Sequence, residues 1–164
     1  MRSSISLAIG CALAVWACQR EPKAAEAPKV DLKEVLPGTW ETKFFQIKMP
    51  THNGSDSTSV FEASEEYWEA KFQVKPYRTY FGPDQKYRTA YRGLQGHLIS
   101  ESRGVWNAFG DTLMMIEKGG TLQYKLLVEK GQAHFSALLD WDQDGEEDDE
   151  YYMIYRLVSK SSAE

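Results

Sequence analysis

Cysteine is nearly missing from this chain. It occurs twice in 164 residues, at Cys11 and Cys18, so the stretch after residue 18 holds none. A disulfide framework, a thiol nucleophile and a cysteine-based metal site are therefore excluded there, and the fold must be held by its core. Histidine is almost as scarce. His52, His97 and His134 lack the H-x-H or H-x-x-x-H spacing that brings two imidazoles to one ion. No G-x-S-x-G, P-loop or dinucleotide fingerprint occurs. No run of Lys and Arg with interleaved aromatics suggests a nucleic-acid partner, and none is expected. The apolar run from Ile5 to Val15 is too short to cross a bilayer as a helix. With nucleophile, base and cofactor cradle all wanting, the expectation is a protein that is not an enzyme.

What the chain does concentrate is carboxylate, in one place. Asp140 to Glu150 reads DWDQDGEEDDE, with eight acidic residues in eleven. The net charge is -5; without those eight carboxylates the remainder carries +3, so the charge is polarised along the chain. Crowding so many anions into one loop costs electrostatic energy unless a cation lies among them. Asp140, Asp142, Asp144, Gly145 and Asp148 spell D-x-D-x-D-G-x-x-D. Calcium suits this spacing because it takes six to eight hard oxygens in a flexible geometry. The candidate ligands are the side chains of Asp140, Asp142, Asp144 and Asp148 with the backbone carbonyl of Glu146, and Gly145 supplies the sharp turn. An EF-hand would place a bidentate Glu at the twelfth position, which here is Tyr151, and would be flanked by helices. The flanks, Ala133–Leu139 and Tyr151–Val158, are instead rich in aromatic and β-branched residues. The loop resembles the calcium-binding β-hairpin loops of integrin-type repeats, which implies a structural Ca²⁺. A solvated acidic turn is the alternative.

The amino terminus has the pattern of a targeting segment. Arg2 and the apolar run lead to Val15-Trp16-Ala17-Cys18, which resembles the bacterial lipobox. That resemblance implies a signal peptide over 1–17, diacylglyceryl transfer to Cys18, and N-acylation of the new terminus. Gln19 stands where an inner-membrane retention signal carries Asp, so the implied address is the outer membrane, facing the periplasm. Several acyl chains make such anchoring stable where one does not. Residues 18–35 contain Pro22, Pro28 and alternating charge, and are expected to form a flexible tether. Residues 159–164 read as a disordered tail. Between them, 36–158 has the size of one domain. Nothing in the sequence sets an oligomeric state.

That domain is expected to be all-β. Strands are predicted over Thr39–Lys48, Tyr77–Phe81, Lys86–Arg92, His97–Asn107, Thr112–Glu117, Thr121–Glu129, Gln132–Trp141 and Glu150–Val158. Clean alternation marks several of them: Tyr87, Thr89 and Tyr91 share one face against Lys86, Arg88 and Arg92. Eight short strands joined by tight turns suggest an eight-stranded antiparallel up-and-down barrel, which removes exposed sheet edges. A short helix is predicted over Ser64–Gln73, between strands one and two, where Ser64 can cap, Glu65 and Glu66 suit the N-terminus, and Trp68 and Phe72 lie one turn apart. It would plug or lid one mouth of the barrel. Thr51–Ser59 reads as a polar loop.

Gly38-Thr39-Trp40 at the start of the first strand is similar to the G-x-W that opens lipocalins. Gly104-Val105-Trp106 with Gly110-Asp111-Thr112-Leu113 resembles a pattern of bacterial lipocalin-like lipoproteins. The resemblance covers about 36–158 and implies that Trp40 plugs the closed end, that Arg156 packs over it, and that the interior holds a small apolar or amphiphilic ligand. Candidate interior residues are Phe44, Tyr87, Tyr91, Tyr124, Leu126, Phe135 and Leu139. The alternative is a barrel filled by its own side chains, acting as a non-enzymatic structural or interaction protein of the envelope.

Overall fold

The computed structural model describes residues 30–51, 55 and 57–160. The leader 1–17, Cys18, most of the tether and residues 161–164 lie outside the described residues, as does His52. Among those described, the elements in chain order are α1 (Leu32–Val35), β1 (Gly38–Met49), β2 (Ser59–Ser64), α2 (Glu65–Phe72), β3 (Arg78–Phe81), β4 (Lys86–Arg92), β5 (Leu98–Phe109), β6 (Thr112–Glu117), β7 (Gly120–Glu129), β8 (Gln132–Leu139) and β9 (Asp149–Ser159).

From β3 to β9 each strand pairs antiparallel with the next, and β9 returns to β1. The result is a closed eight-stranded antiparallel barrel. The second stave is split. The first part of β1, Gly38–Glu41, pairs with β3, whereas Phe44–Met49 pairs with β2. α2 is inserted at the split. The sequence reading has no strand at β2, because Ser-Val-Phe-Glu-Ala-Ser is short and poor in strand formers; only pairing against β1 holds it extended.

A bulge in β1 decides which side chains enter the barrel. Trp40 and Thr42 point inward, the pairing with β9 slips between Thr42 and Phe44, and Phe45, Ile47 and Met49 are then the buried set. One extra residue inverts the alternation downstream. Phe44, expected inside, therefore lies on the outer face, edge-on to Tyr152 with ring centroids 6.1 Å apart.

The end where β1 begins is closed by large rings. Trp40, Phe81 and Trp106 are fully buried, with Leu36 and Leu113 beside them. Both indole N–H groups are satisfied: Trp40 Nε1 donates to the Leu36 carbonyl at 2.7 Å and Trp106 Nε1 to that of Gly82 at 3.1 Å. α1 occupies the last residues of the expected tether. Asp31 caps it through the Lys33 N–H, and Leu32 buries against the barrel. Burying Leu32 and Leu36 stabilises by about 1.5–3 kcal/mol each, enough to dock this short segment. The expected covering of Trp40 by Arg156 is not what the structure has. β1–β9 register sets Arg156 opposite Glu41, on the outer face, where it pairs with Glu41 at 2.9 Å and Glu65 at 2.8 Å.

Two glycines are required by close approach. Gly38 has φ +143°, and a Cβ there would lie 2.6 Å from the Ser159 carbonyl oxygen. A Cβ on Gly104 would collide with the Ile116 carbonyl and come within 2.7 Å of Tyr87 Cε1.

Candidate functional site: an aromatic cavity beside an acidic hairpin

The barrel interior is hollow away from the tryptophan-closed end, with a cavity of about 460 Å³. Its wall follows from the strand alternation. β4 contributes Tyr87, Thr89 and Tyr91, β7 contributes Tyr124, β8 contributes Phe135 and Leu139, and β9 contributes Tyr151, Met153 and Tyr155. Of the interior residues expected from the sequence, Tyr87, Tyr91, Tyr124, Phe135 and Leu139 line the cavity. Leu126 is buried in the core without lining it, and Phe44 is outside. After the bulge Phe45 takes the place expected of Phe44. Its ring is the hub of the wall, 5.6 Å from Tyr151, 5.7 Å from Trp141 and 6.0 Å from Phe61, edge-on or tilted. Such geometries align ring edges with ring faces and hold the rings in place.

α2 covers one side. Ser64 stands at its N-cap without a side-chain bond, and Gln73 ends it in the left-handed region at φ 57°. Trp68 is the buried anchor, 4.5 Å from Phe72 and 5.0 Å from Tyr77 between ring centroids. Its indole N–H has no hydrogen-bond acceptor among the described residues. A buried donor left unpaired costs about 1–3 kcal/mol, so this helix is held by apolar contact alone at its centre.

Five tyrosine hydroxyls of the wall are held neutral beyond the ordinary phenol range. Burial raises the pKa of Tyr124, Tyr151 and Tyr155 above the ordinary phenol value. Tyr77 is raised by burial and by Tyr91. Tyr87 is pushed up to about 12, by burial first and then by the negative charge of Glu117, whose Oε2 accepts the Tyr87 hydroxyl at 3.4 Å. Among the described residues, Glu117 is the one charged side chain in the wall. Sequence reasoning missed it, along with Phe61, Trp68, Phe72 and Trp141. The available signal was phase: Leu113, Met115 and Glu117 alternate on β6, so a carboxylate stands in register with inward apolar residues.

The acidic loop lies at the cavity mouth. It joins β8 to β9 as a hairpin, with Leu139 opposite Asp149, so its flanks are strands. Trp141, between Asp140 and Asp142, turns its ring into the cavity wall. Asp144 and Asp148 both lie within reach of the Thr51 hydroxyl, at 3.5 and 3.3 Å, and Asp144 Oδ1 accepts the Glu146 N–H at 2.9 Å. Asp142 Oδ1 accepts the Asp144 N–H at 3.3 Å. The tightest carboxylate group is Asp140, Asp142 and Asp149, each offering an oxygen within 4.8 Å of the others. A hard cation with bonds of roughly 2.3–2.6 Å can span such a gap. Asp149 was outside the expected ligand set. It is buried at the first position of β9, and its Oδ2 accepts the Trp141 and Asp142 N–H groups at 2.6 and 3.2 Å.

No protein-family model matches this chain, and no curated protein matches it. What it does must be argued from the barrel itself.

Proposed function

We propose that the protein is a non-enzymatic, lipocalin-like binding module of the bacterial envelope. On this reading it is anchored in the outer membrane through lipid on Cys18 and takes a small apolar or amphiphilic molecule into the barrel. Structural calcium would hold the β8–β9 hairpin.

The observation that carries the reading is the cavity of about 460 Å³, with rings for most of its wall. That volume lies within the range of small-molecule pockets, and a concave, mainly apolar and aromatic wall is their usual chemistry. A barrel filled by its own side chains, the structural or interaction alternative, has no such space. The unpaired indole N–H of Trp68 at the centre of α2 supports a lid that can lift. For the ion, the support is chemical: the donors are all hard oxygens, which suit calcium and not a soft metal.

The test is uptake of a neutral phenylnaphthylamine dye, which brightens when it leaves water. Saturable brightening is the expected result, weakened in Ser102→Phe, which puts a ring where the wall carries a hydroxyl. Circular dichroism of the variant checks that the barrel is intact. Absence of saturable uptake up to the solubility of the dye overturns the reading in favour of a structural or interaction role.

A further inference from the structure

We propose that the cavity selects organic cations, an apolar body bearing an amine or quaternary ammonium, over carboxylates of the same length. The inference rests on the binding reading above and names its ligand class.

Three observations converge. First, among the described residues the cavity wall contains one charged side chain, the carboxylate of Glu117, and no Lys or Arg. No basic side chain among the described residues pairs with Glu117, whose contact is the Tyr87 hydroxyl. Tyr87 is the donor in that contact and Glu117 Oε2 the acceptor. Second, twelve of the nineteen lining residues are Phe, Tyr or Trp. Ring faces are negative and attract ammonium groups, most strongly where water is excluded. Third, the mouth is bordered by the β8–β9 hairpin, whose loop over 140–148 carries six carboxylates, with Trp141 of that loop in the wall. Carboxylates beside a cleft favour the approach of cationic ligands and oppose that of anions.

Gly104 is what allows the arrangement. It lies opposite Tyr87 on the neighbouring strand, and any side chain there would enter the space of the Tyr87 ring. With glycine, the ring lies over the strand and its hydroxyl reaches Glu117 on β6. A fatty acid entering this cavity would bring a second carboxylate beside Glu117, with no cation to balance either. An alkylammonium would meet both the carboxylate and the rings.

The experiment is displacement of the phenylnaphthylamine dye by three ligands sharing one dodecyl chain: the trimethylammonium, the alcohol and the carboxylate. All are used below their micelle concentrations and at physiological salt, where surface charges are screened beyond about 8 Å. The ammonium is expected to displace the dye at a concentration at least about tenfold below that of the carboxylate, with the alcohol between. In Glu117→Gln that ratio should fall to within about threefold, whereas Glu129→Gln, at an exposed carboxylate that does not line the cavity, should leave it intact. The inference is overturned if the carboxylate competes as well as the ammonium, or if Glu117→Gln leaves the ratio intact. Either of those results would leave cavity binding standing. A wild-type protein that takes up no dye removes both.

Discussion

Trp141 and Asp149 face each other across the base of the acidic hairpin, and the Trp141 N–H donates to Asp149 Oδ2 at 2.6 Å. The same carboxylate oxygen takes the Asp142 N–H at 3.2 Å. One buried side chain thus sets the path of the backbone that carries both the Trp141 ring to the cavity and two acids to the candidate ion site. Asp149→Ala deprives two backbone donors at once and should cost about 2–4 kcal/mol in urea unfolding. Asp149→Asn keeps an acceptor oxygen and should cost less than half as much. Equal losses in the two variants would contradict this account.

Calcium should stabilise the hairpin by mass action. At about 10 mM ion and a Kd of about 10⁻⁴–10⁻³ M, linkage gives about 1.4–2.7 kcal/mol, a rise of several degrees in Tm. EDTA should remove the gain. Asp142→Ala combined with Asp144→Ala should make the melt indifferent to calcium. A wild-type melt that ignores both calcium and EDTA counts against the ion.

Gly104→Ala should be among the costliest single-methyl changes in the barrel. The added Cβ meets the Ile116 carbonyl oxygen, which is backbone in a paired strand and cannot swing away. A loss of at least about 2 kcal/mol is expected in urea unfolding. A loss under about 0.5 kcal/mol would mean that β5 and β6 do not approach this closely.

The two partners that the lipocalin resemblance joins should behave unequally. Trp40→Ala empties the closed end and is expected to cost about 3–5 kcal/mol. Arg156→Ala breaks exposed ion pairs with Glu41 and Glu65, which are worth at most about 1 kcal/mol. A large effect of Arg156→Ala on unfolding would place it over Trp40 after all.

Alkaline pH should unfold the barrel through its tyrosines. In the unfolded chain phenols ionise near about 10, whereas Tyr87 is raised to about 12 in the fold and Tyr124, Tyr151 and Tyr155 are also raised. Between those values the unfolded chain has released protons that the native barrel keeps. Their contribution to stability is therefore fully present below about pH 10 and is lost as pH rises through about 12. Tm measured across this window should fall steadily, and tyrosinate absorbance of the buried rings should rise together with loss of the barrel's circular dichroism. A Tm that stays level beyond about pH 11 would contradict the burial of these hydroxyls.

Much of the wall was legible along the chain. Tyr87 and Tyr91 alternate against Lys86, Arg88 and Arg92, and Tyr124 and Phe135 sit in similar runs, so period two assigned them a common side. Phe44 was not legible, because the bulge that turns it outward lies in the pairing of β1 with β9, residues about a hundred positions apart. Arg156 was misplaced by the same pairing, whose register puts it beside Glu41 on the outer surface. Glu117 carried only a faint signal, since a charge at the end of a strand ordinarily reads as solvent-facing. Asp149 carried none: the D-x-D-x-D-G-x-x-D spacing points to Asp148, and only the first pair of the β8–β9 ladder turns the next residue in.

What the sequence determined by itself is eight of the strands, the turns, the acidic hairpin and the placing of a short helix before Pro76. These depend on contacts between near neighbours, and such contacts are written in residue type and period. What the tertiary structure alone decided is closure, the split second stave, the identity of the residues around the cavity, and the fact that space remains there. Closure and register are settled by distant strands meeting. Whether an interior is filled depends on how side-chain volumes from every stave add up around one axis, a sum that no local window contains.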